Sequence, residues 1–151
     1  MPALTDFNTS FEQTCRLLKT AKEAGIKLVF YASALSANDP RHLKSWDPTS
    51  IISTKMLDKS AIEDIFGKAG FKSWTILRPG SFLNNFLFPK TMMYQGFTET
   101  GALATAFAPE TLLPIVAHNH IVQFAAAAVF DPVKFNHQDI EVDSEFWGST
   151  P

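Results

Sequence analysis

The apolar positions of this chain follow two alternating patterns, and their order along the sequence predicts the architecture. Phe11, Cys15, Leu17, Leu18, Ala21 and Ala24 recur at helical spacing over 11–24. Ser10 stands where it can cap that helix, Glu12 lies near the positive end of its dipole, and Gly25 is its stop. Leu28 to Tyr31 is then a continuous run of aromatic and β-branched residues, the pattern of a parallel strand covered on both faces. Residues 34–50 have no period and carry two Asp-Pro steps, so they read as a long loop.

The alternation then repeats. Ile52, Leu57, Ala61, Ile62, Ile65, Phe66 and Ala69 keep helical spacing over about 51–69, with Gly70 behind them. Trp74 to Leu77 is a second buried strand, broken by Pro79-Gly80. Residues 81–88 predict a short helix or turn ending at Pro89, and 90–103 carry little pattern. Ala104–Phe107 and Leu112–Val116 are short strand candidates. A helix is expected from about Asn119, as cap, to Phe130, and Asp139–Val142 is the last expected strand. Strands separated by helices imply right-handed crossovers and a mostly parallel sheet.

Composition narrows the function classes. At 151 residues, 46% hydrophobic and 19% charged, the chain is long enough for one domain and argues against disorder. Its 14 Phe and 3 Trp require large buried apolar surfaces. A net charge of −2 supplies no basic field for nucleic acid. The lone Cys15 excludes an intrachain disulfide and a Cys-based zinc site, and its plain reading is a small buried helix residue. His118 and His120 stand two apart without a third ligand nearby, so no metal site is expected. The first residues lack the basic and apolar regions of a signal peptide, and the longest apolar run, Phe124–Phe130, is too short to span a membrane. A soluble, cytoplasmic protein is the expectation.

The segments AKEAGIKLVFYAS, DKSAIEDIF, AGFKSWTILRPGSFLNNF and LLPIVAHNHIVQFAAAAVFDP, in that order, resemble the NmrA-like family, atypical relatives of the short-chain dehydrogenases/reductases. His120 stands where that family usually has Asp. The resemblance implies an α/β fold: the C-terminal half of a Rossmann-like, mostly parallel sheet with flanking helices. It makes residues 1–151 a single partial domain without the N-terminal glycine-rich βαβ unit. That unit carries glycines that let backbone amides approach a pyrophosphate. Here Gly25, Gly67, Gly70, Gly80, Gly96, Gly101 and Gly148 show no such spacing, and Gly67 and Gly70 close a helix rather than open one.

The resemblance also implies site residues. Lys59 aligns with a helix lysine near the cofactor ribose and nicotinamide; its plainer reading is a solvated charge among Asp58, Glu63 and Asp64. Ser33, after the first strand, matches a serine that polarises a substrate carbonyl; otherwise it satisfies a loose backbone group at a strand end. Pro79 and Asn85 would contact the cofactor, NADP or NAD, while Arg78 and Pro79 can equally be structural. Trp46 and His42 lie in the long loop, where they either contact a substrate or are incidental aromatics of a mobile loop, and Phe82 and Phe86 read as a substrate-pocket wall or as core. The reductase triad needs a Tyr four residues before its Lys, but that position is Lys55; Tyr31 lies inside a strand and Tyr94 far downstream. General-acid catalysis by that triad is therefore expected to be absent. No Gly-x-Ser-x-Gly elbow suggests a hydrolase.

Three functional readings follow. The first is a shortened NmrA-like nucleotide-binding domain without independent catalysis. The second is an NADPH-dependent reductase of a carbonyl or quinone-like substrate that needs the missing half. The third is a protein-binding transcriptional regulator. The first reading carries a corollary: strand 28–33 lacks a neighbour, so a second chain, or another copy of this one, should pair along it.

Overall fold

The computed structural model describes residues 7–44, 46–87, 90, 94, 96–102 and 111–147. The elements are α1 (Phe7–Glu23), β1 (Leu28–Ala32), α2 (Ile51–Lys68), β2 (Ser73–Pro79), β3 (Ser81–Phe82), α3 (Phe97–Thr100), β4 (Leu113–Val116), α4 (His118–Phe130), β5 (Gln138–Val142) and β6 (Glu145–Trp147). Short 3₁₀ turns occupy Pro40–His42 and Leu83–Phe86.

α1 starts three residues before the expected cap, so Ser10 lies inside the helix, where its carbonyl accepts from the Thr14 hydroxyl (2.9 Å). The buried stripe of α1 is narrower than the sequence suggests. Leu18 is buried, with Phe11 and Ala21 against the same cluster, but Leu17 is 68% exposed because it lies a 100° step away from Leu18. α2 begins at a true cap that sequence reading passed over: the Ser50 hydroxyl accepts from the Ser53 N–H (3.0 Å). Ile62, Glu63 and Phe66 face inward, while Ile52, expected on that face, is 73% exposed. The C-terminal carbonyl of Ala69 accepts from Lys22 Nζ (2.7 Å), which ties the end of α2 to α1. Gly70 follows at φ +70°, the left-handed turn that glycine adopts without a Cβ clash.

β1, β2 and β5 form one parallel sheet in that spatial order, with Leu28 opposite Ser73 and Thr75 opposite Gln138. Strand alternation splits the apolar residues between its two faces. Val29, Tyr31, Trp74 and Ile76 meet Leu18, Ile62, Phe66 and Phe71 from the helices and loops of one layer. Phe30, Leu77, Ile140 and Val142 meet Phe82, Val116 and Ile121 on the other.

Gly80 carries the chain from this sheet into a second one. A Cβ there would lie 2.5 Å from the Pro114 carbonyl oxygen, so close approach of backbone demands glycine. In the second sheet β3 and β4 are parallel and β4 and β6 antiparallel. Of the helix or turn expected over 81–88, residues 81–86 form a two-residue strand and a 3₁₀ turn. Ala117, without a side-chain cap bond, precedes α4, and Asn119 lies within its first turn. β5 is not the last strand; β6 is too short to show a period in sequence. The strand expected at 104–107 lies outside the described residues. No described helix is long and apolar enough to cross a membrane.

Candidate functional site

The side chains with chemical potential gather where α2 crosses β1 and β2. Ser33 follows β1, and its N–H donates to the Leu77 carbonyl (2.7 Å), extending the strand ladder by one bond. Only 6% of Ser33 is exposed, and its hydroxyl makes no close hydrogen bond among the described residues, although it lies near enough to the Tyr31 phenol to favour the ionised ring slightly. A buried polar atom left in that state costs stability unless something else satisfies it.

Two-residue alternation puts Tyr31 on the same side of β1 as Ser33, toward α2. Its ring meets Phe66 at 5.3 Å between centroids, and Lys59 Nζ stands 5.7 Å from the Tyr31 ring centre. Lys59 is half-buried rather than fully solvated. Burial lowers its pKa, with the carboxylates of Asp58 and Glu63 pulling the other way. The Tyr31 phenol is pushed up to about 12, first by burial and then by Asp58 and Glu63. The position four residues before Lys59 is Lys55; a tyrosine reaches Lys59 from the strand instead. Sequence spacing on one helix had no means of finding it.

One turn beyond Lys59, Glu63 enters the protein and holds Arg78. The guanidinium donates to both Glu63 oxygens (3.1 and 3.2 Å from Nε, 2.8 Å from Nη2) and, through Nη1, to Asp139 of β5. Arg78 and Glu63 are both buried. Burial works against the Arg78 charge, but the two carboxylates outweigh it and raise its pKa. The cluster joins α2, β2 and β5 one helical turn from Lys59. A small cavity of about 180 Å³ adjoins it, lined by Asn38, Ser60, Glu63, Arg78 and Asp139 among others. Glu63 and Asp139 are partners of Arg78 that the sequence hid, since one reads as a helix-surface charge and the other as a strand end.

The remaining candidates are spread more widely. Pro79 ends β2, and its carbonyl accepts from the Leu35 N–H (3.0 Å), which joins the loop after Ser33 to the same sheet end. Asn85 sits on the 3₁₀ turn after β3, its Oδ1 accepting from Lys90 Nζ (3.3 Å). Phe82 stacks on His118 at 5.0 Å and packs against the second core cluster, whereas Phe86 stacks on Tyr94 at 6.1 Å. Trp46 lies half-buried in the loop before α2, where Asp47 accepts from the Thr49 backbone and hydroxyl. No hydrogen bond or ring contact joins Trp46, Phe82 and Phe86 into one wall among the described residues. His42 pairs with Asp39 at the surface, and no group of acidic, His and Cys side chains among the described residues is placed to hold a metal.

Fit to a nicotinamide dinucleotide is divided. Ser33 and Lys59 are donors suited to its ribose and carboxamide end. A pyrophosphate cradle is not formed by the described residues: Ser50 caps α2, Ala117 precedes α4, and Gly67 and Gly70 lie at the closing end of α2.

Comparison with known proteins bears on the same division. The model of the NmrA-like family matches residues 2–148. The fold is similar to that of gox2253 at 17% identity and TM-score 0.65, over 97% of this chain and 47% of that one. It is also similar to a short-chain dehydrogenase/reductase superfamily protein from Agrobacterium tumefaciens with bound NAD (16%, TM-score 0.63, 99% of this chain and 58% of that one). The Bordetella bronchiseptica enzyme WbmG, solved in complex with NAD, gives 13%, TM-score 0.62, and 99% and 49% coverage. The chain spans about half the length of these structures. No curated protein matches it in sequence.

Proposed function

Because the chain belongs to the NmrA-like family, we propose that it provides the nicotinamide-side half of an NAD(P)-binding fold and has no independent catalysis. The phosphate-binding half would come from residues outside these 151 or from another polypeptide. The observation that carries this reading is the free edge of β1. Leu28 to Ala32 pair with β2 on one side, and no described residue pairs with them on the other. Their apolar side chains are only partly covered. An apolar parallel strand with one open row of amides and carbonyls is a template for another strand.

Ser33 and Lys59 lie beside that edge, so a strand added there would also bring its following loop to them. Ligands of open α/β sheets bind outside the carboxyl ends of the strands, the end at which Ser33 stands. When bound, the dinucleotide supplies the hydride chemistry. This chain's part is to present the Ser33 hydroxyl and the Lys59 ammonium and to hold them in place through Glu63 and Arg78.

Light scattering across a concentration series tests the edge. The chain alone should self-associate as concentration rises, and Ala32→Lys, which places a charge at an exposed position of β1, should return it toward monomer. A wild-type chain that stays monomeric and melts cooperatively would overturn the reading and favour a self-sufficient domain, whether reductase or regulator.

A further inference from the structure

α4 differs from the other long helices in carrying no Asp, Glu, Lys or Arg. α1 and α2 keep charges such as Arg16 and Lys68 on their outer faces, as helices in contact with water do. On its inner side α4 turns Ile121 into the second core cluster and buries Ala128, 1% exposed. At about 100° per residue, Ala126 and Phe130 come round to the far side of the helix from Ala128, with Val122 and Val129 on the flank between. There the helix is apolar as well: Val122 is 64% exposed, Val129 55% and Phe130 87%. Val133, in the turn that follows, is 89% exposed.

A helix that is apolar on every side is one that gets covered. Phe130 and the three valines offer on the order of 400 Å² of apolar surface, more than hydrophobic residues scattered singly. A permanent dimer buries about 800 Å² on each partner, so this face suits a weak, reversible contact. Its spacing is its own complement. Val122 and Val129 stand seven residues apart on one stripe, with the small Ala126 between them. Two such helices laid antiparallel about a two-fold axis beside Ala126 set Val122 of each against Val129 of the other, and the alanine lets the backbones approach. That alignment also puts the positive end of each helix dipole beside the negative end of the other.

We propose that the outer face of α4 is a contact between two copies of this chain. Phe130 is its anchor, and Val122 and Val129 close around the alanine at its centre. With no formal charge on either copy, nothing on the face repels its own twin, whereas a charged partner surface would leave its charges unpaired there. The contact does not rest on the dinucleotide reading. It uses the side of a helix that points away from the sheet, and the open row of β1 backbone groups lies on the rim of the sheet.

Cysteine cross-linking of the full 151-residue chain tests the contact, with Cys15→Ser removing the native thiol. Under mild oxidation Ala126→Cys should form an intermolecular disulfide, with or without Ala32→Lys on β1, whereas Leu17→Cys, at an exposed position of α1, should not. Sedimentation velocity of the Ala32→Lys chain should show a monomer–dimer equilibrium at about 10–100 µM. Phe130→Glu, at a position exposed enough to leave folding intact, should weaken that equilibrium at least about tenfold. Equal cross-linking at positions 17 and 126, or a dimer that Phe130→Glu leaves unchanged, would overturn the proposal. So would a chain that stays monomeric up to about 1 mM, which would assign the face to residues outside these 151 or to a different partner. The response to Ala32→Lys reads the β1 edge and the cross-link at position 126 reads α4, so either can fail without the other.

Discussion

β1 and β2 lie side by side in parallel register, yet they live in different surroundings. β2 is buried from Ser73 to Pro79 except at Trp74, and Leu77 has no exposed surface. β1, equally apolar in sequence, is only half covered from Leu28 to Tyr31 and open at Ala32. The difference is a second neighbour: β5 pairs with β2, and nothing described pairs with the far side of β1. A continuous apolar run therefore reports that a strand is meant to be covered, and not that this chain covers it.

Substitutions separate the two strands, with the largest effects on the β2 side. Arg78→Ala leaves the buried Glu63 carboxylate without its cation, and should lower unfolding free energy by about 3–5 kcal/mol. Replacing the pair together, Arg78→Met with Glu63→Gln, should recover much of that loss in the same denaturant titration. If Arg78→Ala costs under about 1 kcal/mol, the value typical of a surface pair, the cluster does not tie α2 to β2 and β5.

Next in size is the contrast between the strands themselves. Leu77→Ala should cost about 2–5 kcal/mol, as a fully enclosed leucine does, whereas Val29→Ala on β1 should cost about 1 kcal/mol. Equal losses by chemical denaturation would mean that β1 is as well packed as β2. Gly80→Ala, forced against the Pro114 carbonyl, should cost about 1–3 kcal/mol even though it adds a single methyl group.

The smallest effect is a pH dependence. The folded protein raises the Tyr31 phenol from 10.0 to about 12, so it favours the protonated ring. That contribution is complete below the unfolded value of 10.0 and is lost as pH climbs through about 12. Lys59 works in the opposite direction: its pKa is lowered, so its contribution is present above 10.5 and lost as pH falls through the folded value. The urea midpoint of wild type should therefore fall relative to that of Tyr31→Phe as pH is raised from about 9 toward about 12. Midpoints that stay a constant distance apart would place Tyr31 in solvent.

How far the sequence could be read depends on which residues had local causes. LVFY and WTIL were legible as strands because each is a short apolar run behind a glycine-stopped helix, and the α2 boundaries followed from the same logic. What escaped depended on residues far apart in the chain. Glu63 is surrounded by Asp58, Lys59 and Asp64, so it looks solvated, and only its contact with Arg78, fifteen residues on, makes it a buried partner. Tyr31 lies near Lys59 through strand-on-helix packing, a relation that i to i+4 spacing cannot encode. Phe82 and Phe86 are four apart, yet a strand-to-3₁₀ change between them sends one to His118 and the other to Tyr94.

A nicotinamide-side half-site without a phosphate cradle among the described residues can be checked by calorimetric titration of the purified 151-residue chain with NADPH. No saturable heat is expected at micromolar concentrations, even though Ser33 and Lys59 are in place. Micromolar binding, abolished by Lys59→Ala, would contradict it and show that the chain completes a dinucleotide site by itself.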